Sequence, residues 1–159
     1  EDVLFAINKI DKFYKKKFKL LIVGENRSKV INNLKNISLN LKINENIIFT
    51  GYIKEPSQTI VYNLDAVIMA TRDFEGFGYT ALEAIKLGKP LITTNVGAIK
   101  EFVNPKYVEI INPKNPNQIY FSMKKILNDP NFFKKRAMNY KKLKNNKFLM
   151  GENFKKLFI

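Results

Sequence analysis

The chain has 159 residues, enough for one domain with a full core, and its 45% hydrophobic content is typical of a globular protein. It contains no cysteine and no histidine, which excludes disulfides, thiolate metal sites and histidine-based acid–base chemistry. The net charge of +14 favours anionic partners such as phosphates, nucleic acid or a membrane surface. The excess of lysine over arginine also fits compositional drift with solvated lysine faces, so the charge alone identifies no partner.

The first half of the chain alternates predicted helices with short apolar strands. Each strand is a continuous apolar run that ends at a glycine, Gly24 or Gly51. The elements predicted here are a helix over 2–16, a strand over 19–23, a helix over 28–41, a strand over 47–50 and a short helix near 57–63.

The second half continues the alternation and ends in helices. Gly88 is predicted to end the helix before it, because glycine readily adopts the left-handed conformation that closes a helix. The predicted elements are a strand over 66–70, a loop over 71–76, a helix over 78–87, a strand over 90–94, a short helix over 98–103, a strand over 107–111, and helices over 115–128, 131–144 and 151–158.

This alternation predicts a doubly wound α/β domain with a parallel sheet covered on both faces, a Rossmann-like fold. We expect this domain to span residues 1–145 and a helical tail to span 146–159. Such sheets bind ligands at the carboxyl ends of their strands, so the loops of interest follow Val23, Thr50, Ala70 and Thr94. No apolar run approaches the roughly 20 residues of a membrane-spanning helix, and no signal peptide is recognisable, so we expect a cytoplasmic location.

The most informative segment covers residues 73–84, between a predicted strand and a predicted helix. Gly76 and Gly78 let the backbone approach a ligand closely, and the first turn of the following helix offers unpaired N–H groups and a partial positive charge. These features predict a phosphate site. Glu83 lies inside the helix among apolar neighbours, and its carboxylate would accept hydrogen bonds from vicinal hydroxyls such as those of a ribose.

Simpler interpretations of the same residues remain open. The two glycines can form an ordinary turn, and Glu75 can be a solvated loop charge. Glu83 can be a helix-surface residue paired with Lys86, three positions along the helix. A dinucleotide-binding oxidoreductase would need three glycines in the G-x-G-x-x-G pattern, whereas only Gly24 follows the first strand. A nucleic-acid module would need lysines interleaved with aromatic residues on one face, and the lysines are scattered instead, so we expect no nucleic acid partner.

The segment also resembles a known signature. Residues 74–92 are similar to the Glu-x7-Glu region of the family-4 retaining glycosyltransferases of GT-B fold, with Glu75 and Glu83 as the two glutamates. The chain departs mildly from the family at Ala70-Thr71, where Pro-Ser is frequent, and at Gly97-Ala98, where Gly-Gly is usual. Four further stretches match the family in order: 21–24 (LIVG), 48–52 (IFTGY), 97–101 (GAIKE) and 126–130 (ILNDP).

The resemblance implies a role for each matching position. Glu75 would be the catalytic residue beside the transferred sugar, and Glu83 would accept from the ribose hydroxyls. The residues expected to hold the donor sugar and the diphosphate are Gly76, Phe77, Gly78, Tyr79 and Thr80. Those expected on the side of the base are Gly24, Tyr52 and Ile53.

The implied reaction is metal-independent transfer of a hexose from UDP-sugar or GDP-sugar to an acceptor hydroxyl, with retention of configuration. It would serve polysaccharide, lipopolysaccharide or glycolipid synthesis. A phosphorylase-like GT-B enzyme would need a cofactor-lysine motif that the chain lacks. In the family, the acceptor domain and a diphosphate-binding Arg and Lys precede the helix that begins this chain. The resemblance therefore implies that the acceptor domain and these two residues are missing here and that the chain alone is inactive. Separately, the positive charge of the chain permits peripheral binding to an anionic membrane.

Overall fold

A computed structural model describes residues 1–15, 18–24 and 28–145. The strands are β1 (Leu20–Val23), β2 (Ile47–Gly51), β3 (Val67–Met69), β4 (Leu91–Thr94) and β5 (Glu109–Ile111). The helices are α1 (Asp2–Asn8), α2 (Lys12–Lys15), α3 (Ser28–Asn40), α4 (Ser57–Tyr62), α5 (Tyr79–Leu87), α6 (Ile99–Phe102), α7 (Pro116–Asn128) and α8 (Pro130–Asn145). A 3₁₀ turn at Asn44–Asn46 precedes β2. The predicted tail over 146–159, with its helix over 151–158, lies outside the described residues.

The strands pair in parallel, as the alternating pattern predicts. β1 pairs with β2, and β3, β4 and β5 form a three-stranded sheet with β4 at its centre. All four residues of β4 are buried, because helices cover it on both faces. The doubly wound α/β class is therefore confirmed, with the described strands hydrogen-bonded as two sets.

Two hydrophobic cores lie on opposite sides of β4. Leu91 points into a core formed with α4, α5, α6 and Tyr140 of α8. The next residue, Ile92, points into a core formed with α1, α7 and side chains of β1 and β2. Because successive strand residues face opposite ways, β4 joins both cores. The second core also joins the two strand sets, since it contains Ile47 of β2 as well as Ile92.

One face of the β1–β2 pair departs from the expected burial. Leu20, Ile22 and Ile47 pack into the second core, but Leu21, Val23 and Ile48 point away from it and are 37%, 41% and 46% exposed. In the described part of the chain, helices therefore cover one face of this pair and leave the other accessible.

The predicted single helix over 2–16 is wrong, because the chain forms two helices there. The N–H groups of Lys9 and Ile10 donate to the carbonyls of Ala6 and Ile7, a tightening that ends α1. The carbonyl of Asp11 then accepts from Tyr14 and starts α2. By contrast, Gly88 ends α5 in the left-handed conformation with φ +70°, as predicted. Among the described residues, no helix combines the length and the apolar character needed to cross a bilayer.

Candidate functional site

The loop that follows β3 carries Glu75 in a defined position. Its Oε1 accepts a hydrogen bond from the backbone N–H of Gly78 at 3.0 Å, and its Oε2 accepts from the Thr71 hydroxyl at 3.2 Å. The half-buried carboxylate thus links the start of the loop to the start of α5. This loop lies at the carboxyl edge of the sheet, where ligands bind in this fold class.

The turn that follows β4 packs against the same loop. Gly97 adopts φ +58°, and a Cβ atom added there would come within 1.8 Å of the Glu75 carbonyl oxygen. The N–H of Ala98 donates to the Gly76 carbonyl at 3.4 Å. Gly78 has φ +78°, and a Cβ atom there would meet Ile99 Cγ1 at 2.7 Å. Both glycines are therefore required by backbone conformation and by space.

The first turn of α5 presents N–H groups to this edge. Its N-cap residue is Gly78, which has no side chain to satisfy them. The N–H groups of Tyr79, Thr80 and Ala81 lie at the positive end of the helix, so they form a site suited to an anion. Tyr79 and Thr80 are exposed at the edge, whereas Ala81 and, one turn on, Ala84 are fully buried against the sheet. Small side chains at these positions allow α5 to approach the strands closely.

Glu83 lies on the side of α5 that faces α4 and the segment before it, which carries two of the residues predicted on the side of the base. Its Oε1 accepts a hydrogen bond from the Ser57 hydroxyl at 2.6 Å, so its carboxylate points toward the start of α4. Tyr52 and Ile53 lie in the segment between β2 and α4; Tyr52 is 75% exposed and Ile53 is half-buried. The observed hydrogen-bond partner of Glu83 is thus a hydroxyl of the neighbouring helix α4.

Gly24 lies at the same edge, beside the segment that carries Tyr52. Its N–H donates to the Gly51 carbonyl at 3.2 Å, which holds the ends of β1 and β2 together. Residues 25–27, which follow Gly24 in the sequence, are outside the described residues. Two sets of predicted residues thus lie along this edge. One set is at the start of α5, with Glu75 and Gly78. The other is beside the middle of α5, where Glu83 meets Ser57 beside the β2–α4 segment.

Charged residues fix the loop between β3 and Glu75. Arg72 donates from Nε and Nη2 to the two carboxylate oxygens of Asp2, at 2.8 and 2.7 Å. The hydrogen bond from Arg72 lowers the pKa of Asp2, although partial burial opposes the shift, and the same bond raises the pKa of Arg72. Asp73 pairs with Lys114 at 2.6 Å on the surface. Among the described residues, no three carboxylates are placed to bind a metal ion.

Three contacting residues were not predicted from the sequence. Ser57 was identified only as part of a short helix, and its contact with Glu83 joins residues 26 positions apart. Thr71 was noted only as a departure from the family's Pro-Ser, and its hydrogen bond to Glu75 was not foreseen. Arg72 carried no signal, because its partner Asp2 is 70 positions away.

Solved structures share this fold. The chain superposes on HepE of Anabaena in complex with UDP-glucose with a TM-score of 0.81 at 16% identity, covering 92% of this chain and 40% of that one. It also superposes on the C-terminal domain of LpcC, a group 1 glycosyl transferase of Francisella tularensis, with a TM-score of 0.77 at 25% identity. That match covers 92% of this chain and 77% of the LpcC chain.

Sequence similarity adds the family. The O-antigen biosynthesis glycosyltransferase WclY of Escherichia coli is 30% identical over 141 residues, which cover 80% of this chain and 39% of WclY. The chain spans 32% to 39% of the length of three curated relatives that it matches. The sequence model described as "Glycosyl transferases group 1" matches residues 1–146, and the chain therefore belongs to this glycosyltransferase family.

Proposed function

We propose that this chain is the donor-binding domain of a family-4 retaining glycosyltransferase and that it holds a UDP-sugar or GDP-sugar at the carboxyl edge of its sheet. The observation that carries the proposal is the position of α5. Its first turn offers N–H groups to a diphosphate, with Glu75 at its start and Glu83, four residues after Tyr79, on the side of Ser57. A nucleotide sugar needs hydrogen-bond donors beside its diphosphate and hydrogen-bond acceptors beside its hydroxyls. The N–H groups of α5 and the two carboxylates would supply them.

The phosphate end of the ligand would meet the turn from Gly76 to Thr80. Backbone N–H groups of Gly76, Phe77 and Gly78 would hold the sugar hydroxyls and the distal phosphate, and Tyr79 and Thr80 would meet the diphosphate. The N–H of Gly78 donates to Glu75 Oε1 at 3.0 Å. A phosphate that takes over this N–H would release one oxygen of Glu75 toward the transferred sugar, where a catalytic carboxylate is needed.

The nucleoside end would lie beside Glu83. Its carboxylate already accepts from the Ser57 hydroxyl, and a ribose hydroxyl would use the same kind of bond. The exposed ring of Tyr52, with Ile53 and Gly24, would then line the base. In this proposal the base, ribose, diphosphate and sugar would follow one another along one edge, from β1 and β2 toward β3 and β4.

The reaction of the whole enzyme would be transfer of a hexose to an acceptor hydroxyl with retention of configuration. N–H groups of α5 and cations would stabilise the leaving diphosphate without a metal ion. The similarity to WclY, an O-antigen biosynthesis glycosyltransferase, supports a role in polysaccharide, lipopolysaccharide or glycolipid synthesis. We infer that the 159-residue chain by itself binds nucleotide but does not catalyse glycosyl transfer. The acceptor would be held by a separate N-terminal domain.

A ligand-observed NMR experiment tests donor binding. The chain is mixed in turn with UDP-, GDP- and ADP-sugars, and we expect saturable binding of one nucleotide class. Glu83→Ala should weaken that binding at least about tenfold, which corresponds to about 1.4 kcal/mol. The control Glu45→Ala removes the same charge in the 3₁₀ turn before β2, away from the site, and should leave binding unchanged.

Other outcomes would contradict parts of this proposal. Absence of nucleotide binding, or equal binding by Glu83→Ala and the parent, would contradict the donor site. Salt-sensitive binding of an oligonucleotide without nucleotide binding would support a nucleic-acid module instead. Glycosyl transfer by the isolated chain would contradict its expected inactivity.

We also propose that the protein lies on the inner face of an anionic membrane in the cytoplasm. A groove of about 510 Å³ opens beside α8, at the amino edge of the sheet, opposite the donor site. Its lining includes Lys89, Lys134 and Lys141 around the side chains of Tyr62 and Met138. It also includes Asp65, which pairs with Lys134 at 3.0 Å, so the lining keeps a net positive charge. Anionic lipids attract such basic surfaces, and the partly exposed apolar side chains suit the headgroup region.

Vesicle co-sedimentation tests this membrane proposal. We expect binding to phosphatidylcholine vesicles that contain phosphatidylglycerol, and none to phosphatidylcholine alone. The double variant Lys134→Glu, Lys141→Glu should abolish it. The control Lys29→Glu, Lys35→Glu makes the same charge change on α3 and should bind more strongly than that variant. Equal loss in both would mean that net charge, and no particular surface, determines binding.

A further inference from the structure

We propose that Arg72 is a positioning residue for Glu75, and that its ion pair with Asp2 holds the loop from Thr71 to Glu75 in the conformation that directs the Glu75 carboxylate. The inference rests on the proposed function, in which Glu75 lies beside the transferred sugar. Arg72 itself touches neither the proposed sugar position nor the first turn of α5. Its effect would pass through the loop.

The ion pair has the geometry of a fixed contact. Two nitrogen atoms of the Arg72 guanidinium donate to two oxygen atoms of Asp2, at 2.8 and 2.7 Å. Asp2 is 6% exposed and lies in the first turn of α1, which packs into the second core. A planar guanidinium that binds both carboxylate oxygens has a defined orientation, which a lysine ammonium cannot reproduce.

The neighbouring ion pair does not supply the same restraint. Asp73 and Lys114 lie 2.6 Å apart, but their side chains are 73% and 57% exposed. An exposed pair of flexible side chains contributes little to stability, typically below about 1 kcal/mol. The Arg72 side chain is 44% exposed, but its partner Asp2 is only 7% exposed and accepts two hydrogen bonds. Of the two ion pairs, Arg72–Asp2 is therefore the stronger attachment of this loop, and it connects the loop to α1.

A short path leads from Arg72 to Glu75. The residue before Arg72 is Thr71, and its hydroxyl donates to Glu75 Oε2 at 3.2 Å. Fixing the backbone at Arg72 fixes the place of that hydroxyl. Gly97 lies against the carbonyl of Glu75 and limits its movement from the other side. With both restraints present, Glu75 Oε1 accepts a hydrogen bond from the N–H of Gly78.

The backbone amide of Gly78 reports this path without any ligand. We expect Arg72→Ala to shift the amide resonance of Gly78 and to raise its hydrogen-exchange rate at least about tenfold, because Glu75 loses its fixed position. Arg72→Lys and Asp2→Asn should give smaller changes in the same direction. The charge swap Asp2→Arg, Arg72→Asp should restore most of the parent signal. If Arg72→Ala does not fold, the milder variants Arg72→Lys and Asp2→Asn carry the test.

A matched control separates positioning from loss of stability. Arg136→Ala removes a half-buried ion pair, in which Arg136 of α8 and Glu109 of β5 lie 2.8 Å apart. It should lower the melting temperature as Arg72→Ala does but leave the Gly78 resonance in place. An unchanged Gly78 resonance in Arg72→Ala would overturn the proposal, as would an equal change in Arg136→Ala. Failure of the parent chain to bind UDP-glucose would bear on the donor site alone.

Discussion

A Cβ atom on Gly97 would lie 1.8 Å from the carbonyl oxygen of Glu75, so the two backbones are in direct contact. The turn after β4 and the loop after β3 therefore behave as one unit. Glu75 also binds the N–H of Gly78, which begins α5. The loop after β3, the start of α5 and the turn after β4 thus share one arrangement at the carboxyl edge of the sheet.

Gly97→Ala should disrupt this unit. The substitution combines a left-handed backbone with a steric clash, and we expect a loss of at least about 2 kcal/mol in the free energy of unfolding. Gly76→Ala is the control on the same loop, because a Cβ atom there meets nothing within 4 Å. It should change stability by less than about 0.5 kcal/mol. Urea unfolding of both variants tests the prediction, and equal stabilities would contradict it.

Removal of the Ser57 hydroxyl should affect nucleotide binding only slightly. Ser57 donates to the Glu83 oxygen that a ribose hydroxyl would use, so the two compete for one acceptor. We expect Ser57→Ala to change affinity for the bound nucleotide by less than about threefold, while Glu83→Ala weakens it at least about tenfold. Titration calorimetry on the two variants compares them. A larger loss in Ser57→Ala would mean that Ser57 itself contacts the ligand.

The hydroxyl of Tyr140 should make the protein sensitive to alkali. It donates to the carbonyl of Phe102, and burial together with the neighbouring Tyr107 raises its pKa to about 12. The unfolded chain loses this proton near pH 10, so the contribution to stability is complete below pH 10 and is lost as pH rises toward 12. Thermal unfolding between these values should show a shallower decline for Tyr140→Phe than for the parent. Parallel curves would contradict the prediction.

Glu109 should govern part of the acid response. Burial alone would raise its pKa, but hydrogen bonds from Arg136 and Lys125 outweigh that effect and lower it. A lowered folded-state pKa stabilises the protein above the unfolded value of 4.5, and this contribution disappears as pH falls through the folded value. Glu109→Gln should lower stability at pH 7 by roughly 1–3 kcal/mol and flatten the decline below pH 4.5. Chemical unfolding across this pH range measures both effects.

The sequence was sufficient for features that depend on neighbouring residues. The apolar runs predicted each of the five strands in the described part of the chain within about two residues, because a buried parallel strand needs little else. Gly88 predicted the end of α5, since glycine alone adopts φ +70° without strain. For Glu83 the apolar neighbours predicted only that its carboxylate needs a polar partner, and the predicted ribose contact stays a prediction.

Features that depend on distant residues were not predictable. The break between α1 and α2 was missed because Ile10 continues the helical spacing and still enters the core, at 3% exposure. The Asp2–Arg72 and Glu109–Arg136 pairs join residues 70 and 27 positions apart, and no local pattern marks such partners. The exposed face at Leu21, Val23 and Ile48 was also missed, because a continuous apolar run suggests burial on both sides.

The full burial of Ala81 and Ala84 also bears on how such a protein can evolve. A larger residue at either position would push α5 off the strands, so mutation can hardly change the direction of its first turn, the proposed phosphate site, without loss of the fold. Tyr52 and Ile53 carry no such constraint. At the proposed donor site we therefore expect new preferences to arise by drift in the segment between β2 and α4, while the geometry at the start of α5 is inherited unchanged.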